Sequence, residues 1–279
     1  MKGEVFYHMI YLSSFKLSNQ QVSNPNIYPY NVFRGKYIEP FVFAPITVFY
    51  GNNGSGKSTL LNILANCLEL KGKEKATSNS YGLVDYCNTF TSECSYSLGE
   101  DDLGQPIRRL PGNSRYIKSE DILYEIKKIQ QWQVLSKGME YDYVQKGMTL
   151  QEARKYLSSK EGRNQEEYIM YAQEKYSNGE TSLQYFEEYL QPNALYLLDE
   201  PEVSLSPENQ VALAEEINKL ARLLQCQFII ATHSPFMLGT LNAKIYNFDK
   251  REYDISKWSE LENVRYFYNF FKKHEKEFE

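Results

Sequence analysis

The stretch Gly51-Asn52-Asn53-Gly54-Ser55-Gly56-Lys57-Ser58 constrains this chain more than any other. It follows an apolar run, Ile46-Thr47-Val48-Phe49-Tyr50, and leads into Thr59-Leu60-Leu61-Asn62-Ile63-Leu64-Ala65. The order is strand, glycine loop, helix, with the spacing G-x-x-x-x-G-K-S of a phosphate-binding P-loop. Gly51, Gly54 and Gly56 let the backbone curl so that several N–H groups point at one anion. The helix opening near Lys57 adds its positive N-terminal end. Asn52, Asn53, Gly54, Ser55, Gly56 and Thr59 are therefore expected to surround the phosphates of a nucleoside triphosphate. Lys57 should reach the β- and γ-phosphates, and the Ser58 hydroxyl should ligate Mg²⁺.

A chain of 279 residues is expected to form one large domain, or one domain with an inserted lobe. The net charge of −5 gives no support for a chain-wide nucleic-acid or membrane-surface role. No stretch approaches the ~18 apolar residues of a membrane span. Met1-Lys2-Gly3-Glu4-Val5 lacks the apolar core of a signal peptide. Cys67, Cys87, Cys94 and Cys226 form no C-x-x-C pair, so neither a zinc site nor a disulfide framework is indicated. Together these features predict a soluble protein in a reducing, cytoplasmic setting.

Taken in order, residues 5–17 and 31–38 mix β-branched and aromatic residues with polar ones and read as strands. Tyr28, Tyr30 and Phe33 are candidates to stack on a nucleotide base, although packing within a strand is the more usual role of aromatics this common. Residues 71–103, rich in Ser, Gly, Thr and Asn, suggest hairpins with mobile turns. Arg108, Arg109, Arg115 and Lys118 form one modest basic cluster, which a solvated face would explain. From Glu120 the pattern turns helical, with Ile122, Leu123, Ile126, Ile129 and Trp132 at helical spacing and Leu150, Ala153, Tyr156 and Leu157 repeating it. Thr149-Leu150-Gln151-Glu152 reads as a capping box, and so does Ser177-Asn178-Gly179-Glu180. The lobe has no sustained heptads, which excludes a long coiled-coil arm.

The run from Asn193 to Leu198 ends in Asp199-Glu200 and suits a central parallel strand covered on both faces. A carboxylate at the C-terminal end of such a strand lies where α/β sheets bind ligands. Asp199 is expected to hold Mg²⁺, and Glu200 to orient or deprotonate the attacking water. Residues 211–224 form an amphipathic helix with Leu213, Ile217, Leu220 and Leu224 on one stripe. Residues 227–232 read as another buried strand, ending in His233-Ser234-Pro235, and that position makes His233 a candidate γ-phosphate sensor. Residues 245–248 read as a last strand, followed by an aromatic-rich helix over 264–278.

A P-loop, a Ser-x-Gly-Glu signature after a helical lobe, an Asp-Glu-Pro strand end and a strand-end His, in that order, resemble ABC-type ATPases. More narrowly, residues 199–207 and 231–235 resemble the soluble, single-domain bacterial AAA-family ATP-binding proteins. These are relatives of recombination-repair and chromosome-maintenance ATPases and of overcoming-lysogenization-defect nucleases. The resemblance covers essentially the whole chain. It implies an α/β P-loop NTPase fold over residues 1–279, an ABC-ATPase-like core sheet with an antiparallel β part. A small helical lobe is inserted over 120–180. It also implies ATP and Mg²⁺ as ligands and an ATP-dependent homodimer, each γ-phosphate meeting the P-loop of one chain and the signature of the other. Ser177, Gly179 and Glu180 would belong to that signature; here Asn178 stands where the family has glycine, and Glu180 brings negative charge. Ser204 to Ser206 would occupy the loop that crosses the dimer interface. The family's Mg²⁺-coordinating glutamine has no firm counterpart. Glu120 or Ser119 at a strand end would take that role, with Gln105 the other candidate.

Two functions follow. The first is a soluble ATPase switch with a protein partner, acting in DNA repair, phage defence or nucleic-acid handling. Any DNA contact would then be local or supplied by the partner. The second is the ATPase subunit of an ABC transporter, which predicts a glycine-rich LSGGQ signature and a firm glutamine loop; this chain has neither in standard form. A scaffold without catalysis would require the loss of Glu200 or Lys57, and both are present.

Overall fold

In the computed structural model the described residues are 9–24, 26–36, 39–74, 85–101, 103–119, 143–144, 148–159, 186, 190–203, 205–250 and 252–279. The elements run β1 (Leu12–Lys16), α1 (Tyr30–Phe33), β2 (Phe41–Val42), β3 (Ile46–Tyr50), α2 (Lys57–Cys67), α3 (Tyr86–Glu93), β4 (Ser95–Leu98) and β5 (Arg115–Lys118). They continue with α4 (Leu150–Leu157), β6 (Ala194–Asp199), α5 (Pro207–Leu223), β7 (Cys226–Ala231), α6 (Pro235–Thr240), β8 (Lys244–Asn247), β9 (Asp254–Ile255) and α7 (Glu262–Lys273). The chain divides into two compact units, residues 1–119 with 188–279, and residues 120–187.

In the first unit the apolar runs become the inner strands of a six-stranded sheet, ordered β5-β6-β7-β3-β8-β9. Its pairings are parallel except that of β8 with β9. Every residue of β3, β6 and β7 is buried, so neither face needs polar alternation. The register sets Asp199 beside both Lys118 and Ala231, and Phe49 beside Ala231. The C-terminal ends of β3, β5, β6 and β7 therefore lie side by side, where ligand crevices of parallel sheets open.

A second, antiparallel sheet has the order β2-β1-β4. It is tied to the first by the fully buried Gln227, whose amide accepts from Leu12 N–H at 2.8 Å and donates to Leu12 C=O at 2.9 Å. Both polar ends of the side chain are thus satisfied inside the core, as burial requires. Between the sheets Phe41 sits among Phe49, Tyr246, Phe248 and Tyr253, with ring centroids 5.2–6.0 Å apart. Burying each such ring contributes about 1.5–3 kcal/mol.

Two sequence expectations are corrected here. Residues 31–38 were expected as a strand, but Tyr30–Phe33 form the short helix α1. Tyr30 and Phe33, one turn apart, both pack on Phe90, with centroids at 4.8 and 5.9 Å. Residues 71–103 do not simply form hairpins. The Asp85 carboxylate accepts from the N–H groups of Cys87 and Asn88 and so starts helix α3. That helix buries Phe90, and β4 then pairs with β1. The long helix α5 buries Leu213, Ile217 and Leu220, but Leu224 lies beyond its last residue and is 39 % exposed. In the second unit α4 starts at a capping box, with Thr149 and Glu152 each closing on the other's backbone. The helical repeat of residues 122–132 lies outside the described residues.

Candidate functional site

The glycine loop leaves β3 at Tyr50 and enters α2 at Lys57. Gly54 and Gly56 have φ of +81° and +101°, values open to glycine and costly for other residues. A Cβ on Gly56 would also meet Val32 Cγ1 at 2.7 Å, because α1 lies against the loop. The free ends of the loop are fastened from outside. Asp249, just past β8, accepts from Asn52 N–H at 2.8 Å, and the half-buried Lys36 donates to Ser55 C=O at 2.8 Å. Burial pushes the Lys36 ammonium below its ordinary range, with Asp249 opposing that shift.

Lys57 is 4 % exposed, and its Nζ turns back onto two carbonyls of its own loop, Gly51 at 2.7 Å and Asn52 at 3.2 Å. Burial lowers its pKa, against the pull of Glu200 and then Asp199. One residue on, Ser58 Oγ donates to Asp199 Oδ1 at 3.0 Å, while Tyr116 OH holds the other Asp199 oxygen at 3.1 Å. Asp199 is 7 % exposed, and burial raises its pKa despite these two hydrogen bonds. The P-loop helix and the end of β6 thus meet through a hydroxyl and a carboxylate.

Past Asp199 the chain turns sharply. Glu200 has φ of +47°, and its N–H donates to Ala231 C=O at 2.9 Å, which carries it to the end of β7. There its Oε1 lies 3.6 Å from His233 Nδ1. Glu202 reaches into the same turn from beneath. Its Oε1 accepts from Thr232 Oγ1 at 2.6 Å and from His233 N–H at 3.0 Å, and it too lies 3.6 Å from His233 Nδ1. Glu202 is 6 % exposed, and burial holds its pKa above the ordinary carboxylate range. Among the described residues, neither Glu202 Oε2 nor His233 Nδ1 has a hydrogen-bond partner. The His233 ring is otherwise 42 % open to solvent, so one edge faces the carboxylates and the other faces outward.

The predicted residues Lys57, Ser58, Asp199, Glu200 and His233 thus come together, with Asn52, Asn53, Gly54, Ser55, Gly56 and Thr59 on the loop and the first turn of α2. Ser177, Gly179, Glu180, Glu120 and Ser204 lie outside the described residues. Gln105 sits in an exposed turn closed on Asp101. Of the three candidate stacking aromatics, Tyr30 and Phe33 are buried and only Tyr28, at 44 %, is exposed. Sequence reasoning passed over Tyr116, Glu202, Asp249 and Lys36. An acid just past a buried strand was a usable signal for Asp249, as it was for Asp199; nothing local marks Lys36.

The donor set fits a hard divalent cation. Ser58 and Asp199 offer oxygen only, and Mg²⁺ is commonly held by one or two protein oxygens with phosphate and water completing the shell. Among the described residues no cluster of three or more His, Cys, Asp or Glu forms an all-protein metal cage. The cradle fits a phosphate: left-handed glycines, a buried lysine resting on replaceable carbonyl contacts, and the start of α2 beside them. No described helix is long and apolar enough to cross a membrane.

Comparison with known proteins adds the family. The model described as "AAA domain, putative AbiEii toxin, Type IV TA system" matches residues 86–239, more than half of the chain. The matched region takes in Asp199, Glu200 and His233, and the P-loop precedes it. No curated protein matches. Similar solved structures include the SMC head domain from Thermotoga maritima, at 14 % identity over 85 % of this chain and 94 % of that one, with a TM-score of 0.41. Another is cbiO1 from Clostridium perfringens, part of the ABC transporter complex cbiONQ, at 14 % identity over 96 % and 95 %, with a TM-score of 0.42. A third is a dimeric ATP-binding cassette in a post-hydrolysis state bound to ADP and phosphate, at 16 % identity over 90 % and 99 %, with a TM-score of 0.42. With a glycine loop and Asp-Glu strand end joined at one sheet edge, and with more than half its length matched, this chain belongs to that AAA-domain family.

Proposed function

We propose that the chain binds ATP with Mg²⁺ at this loop and hydrolyses it between two copies packed head to tail, as a soluble ATPase switch. The observation that carries the reading is the 3.0 Å contact between Ser58 and Asp199, with Lys57 and Glu200 beside it. Bound Mg²⁺ would neutralise phosphate charge, with Ser58 and Asp199 as its protein ligands and Glu120 a further candidate. Lys57 would exchange its two loop carbonyls for phosphate oxygens, a charge-assisted contact stronger than the one it gives up. Glu200, held at the strand end by its left-handed backbone, would accept a proton from the attacking water. His233 would present its outer edge to the γ-phosphate. Ser177, Gly179 and Glu180 of the second copy would close the site. The setting would be a DNA-repair, phage-defence or nucleic-acid-handling complex, with a protein partner and any nucleic-acid contact belonging to that complex; the family's description, which names a toxin–antitoxin system, supports action with a partner.

The test is Glu200→Gln, followed by light scattering after size exclusion with and without ATP and Mg²⁺. The variant should bind ATP, turn over at least about 100-fold more slowly, and become a dimer only with ATP. Near wild-type turnover would overturn the role of Glu200. A monomer at saturating ATP would overturn the sandwich.

A further inference from the structure

Helix α7 exposes more aromatic surface than any other described helix. Tyr266 is 69 % exposed, Phe267 39 %, Phe270 49 % and Phe271 53 %, and Phe278 just beyond is 74 % exposed. At 100° per residue, Tyr266, Phe267, Phe270 and Phe271 fall on one stripe. Leu261, just before the helix, and Val264, at the edge of the stripe beside Phe271, are buried and anchor its first turn, where Asn263 N–H donates to Tyr50 OH at 3.1 Å. Three of the rings touch one another, with Phe270 on Phe271 at 5.7 Å and Phe271 on Phe278 at 6.2 Å. Five such half-exposed rings present on the order of 500 Å². That is as much as the largest patch of a typical monomer, which commonly marks an interaction site.

Charges at the rim specify the occupant. Residues 262–279 hold four Lys or Arg and four Glu, so they lack the cationic surplus that draws a helix onto an anionic membrane. Glu262 and Lys273 are both exposed, lie three turns apart, and fall on the same edge of the aromatic stripe. Among the described residues neither forms an ion pair. Arg265 and Lys272 lie on the far side, both over the Tyr268 ring. A two-fold axis across the middle of the helix reverses its direction and keeps that edge on the same side. Glu262 of one copy then meets Lys273 of the other, twice, around facing aromatics. A parallel pairing creates neither contact.

We propose that this face of α7 pairs antiparallel with the same face of a second copy, independently of nucleotide. Two such patches bury about 1,000 Å², the lower bound for a specific interface, so micromolar affinity is expected. The contact needs no nucleotide, which distinguishes it from the ATP-dependent pairing proposed above.

The experiment is light scattering and sedimentation of the full chain, freed of nucleotide, at up to about 100 μM. A monomer–dimer equilibrium is expected. Phe270→Glu with Phe271→Glu should weaken it about 30-fold or more. Glu262→Lys alone, or Lys273→Glu alone, should weaken it about 5- to 10-fold by setting like charges face to face. The double variant Glu262→Lys/Lys273→Glu should restore it. All four positions are exposed, and circular dichroism checks that each variant folds. A nucleotide-free protein that stays monomeric overturns the proposal. So does a dimer indifferent to the aromatic changes, open-ended association in place of a closed pair, or charge variants without mutual rescue.

Discussion

Glu202 offers a sharp test of how the strand-end turn is held. Its carboxylate is 6 % exposed and accepts from Thr232 Oγ1 at 2.6 Å and His233 N–H at 3.0 Å. Glu202→Ala removes both bonds and strands two buried donors. Hydrogen bonds to a charged group contribute about 1.5–3 kcal/mol each, part of which is returned when the desolvated charge disappears. The expected net loss is about 2–4 kcal/mol. Glu202→Gln keeps an acceptor oxygen in place and removes the charge, so it should stay within about 1 kcal/mol of wild type. By thermal unfolding at about 2–4 °C per kcal/mol, alanine should lower Tm by roughly 4–16 °C and glutamine by no more than about 4 °C. pH gives a second readout. Because burial raises the Glu202 pKa in the folded state, that state keeps a proton that the unfolded chain releases. Stability from this group is thus full at low pH and is lost as pH rises from the ordinary Glu value of about 4.3 through the folded value. Glu202→Gln escapes this loss, so its stability relative to wild type should improve with rising pH. Alanine within about 1 kcal/mol of wild type, or glutamine as damaging as alanine, would refute the reasoning.

Three further substitutions probe the loop. Lys57→Ala should weaken ATP binding about 100-fold, measured by calorimetry, since it removes the buried cation at the phosphate cradle. Gly56→Ala forces a Cβ to 2.7 Å from Val32 Cγ1 at φ +101°, and should cost about 2 kcal/mol or more in urea unfolding; a neutral result would mean that α1 yields freely. Lys36→Met keeps an unbranched side chain but loses the ammonium, which lies over the Phe248 and Tyr253 rings and donates to Ser55 C=O. It should therefore raise the Kd for ATP several-fold, read by calorimetry, while changing Tm by only about 2–4 °C.

Local pattern was enough wherever chemistry and packing are both written in adjacent residues. The glycine spacing, the apolar runs before residues 51, 199 and 232, and the capping boxes are local in that sense, and the described ones were found where expected. The strand reading of residues 31–38 failed because Tyr30 and Phe33 answer to Phe90, some sixty residues away in sequence. Tertiary packing there outweighed the weak preference of aromatic residues for strands. The hairpin reading of residues 71–103 missed a single capping aspartate, Asp85. Tyr116, Glu202 and Lys36 went unread because each acts on a group that parallel-strand register or loop closure brings near. Such register depends on crossovers that no short window contains.

The sequence by itself therefore determined a nucleotide-type loop, the sheet strands that flank it, and Asp199, Glu200 and His233 as the groups past their ends. These are properties of short segments whose backbone preferences and side-chain types coincide. Only the tertiary structure decided that Ser58 meets Asp199, that Glu202 lies beneath His233, and that Lys36 and Asp249 brace the loop from opposite ends. It also decided that α7 is held only near its start, at Leu261 and Val264, because a helix's aromatic residues reveal their partners only once the rest of the chain has packed. Those outcomes rest on distances between residues far apart in the chain, set by how the sheet closes around its buried strands.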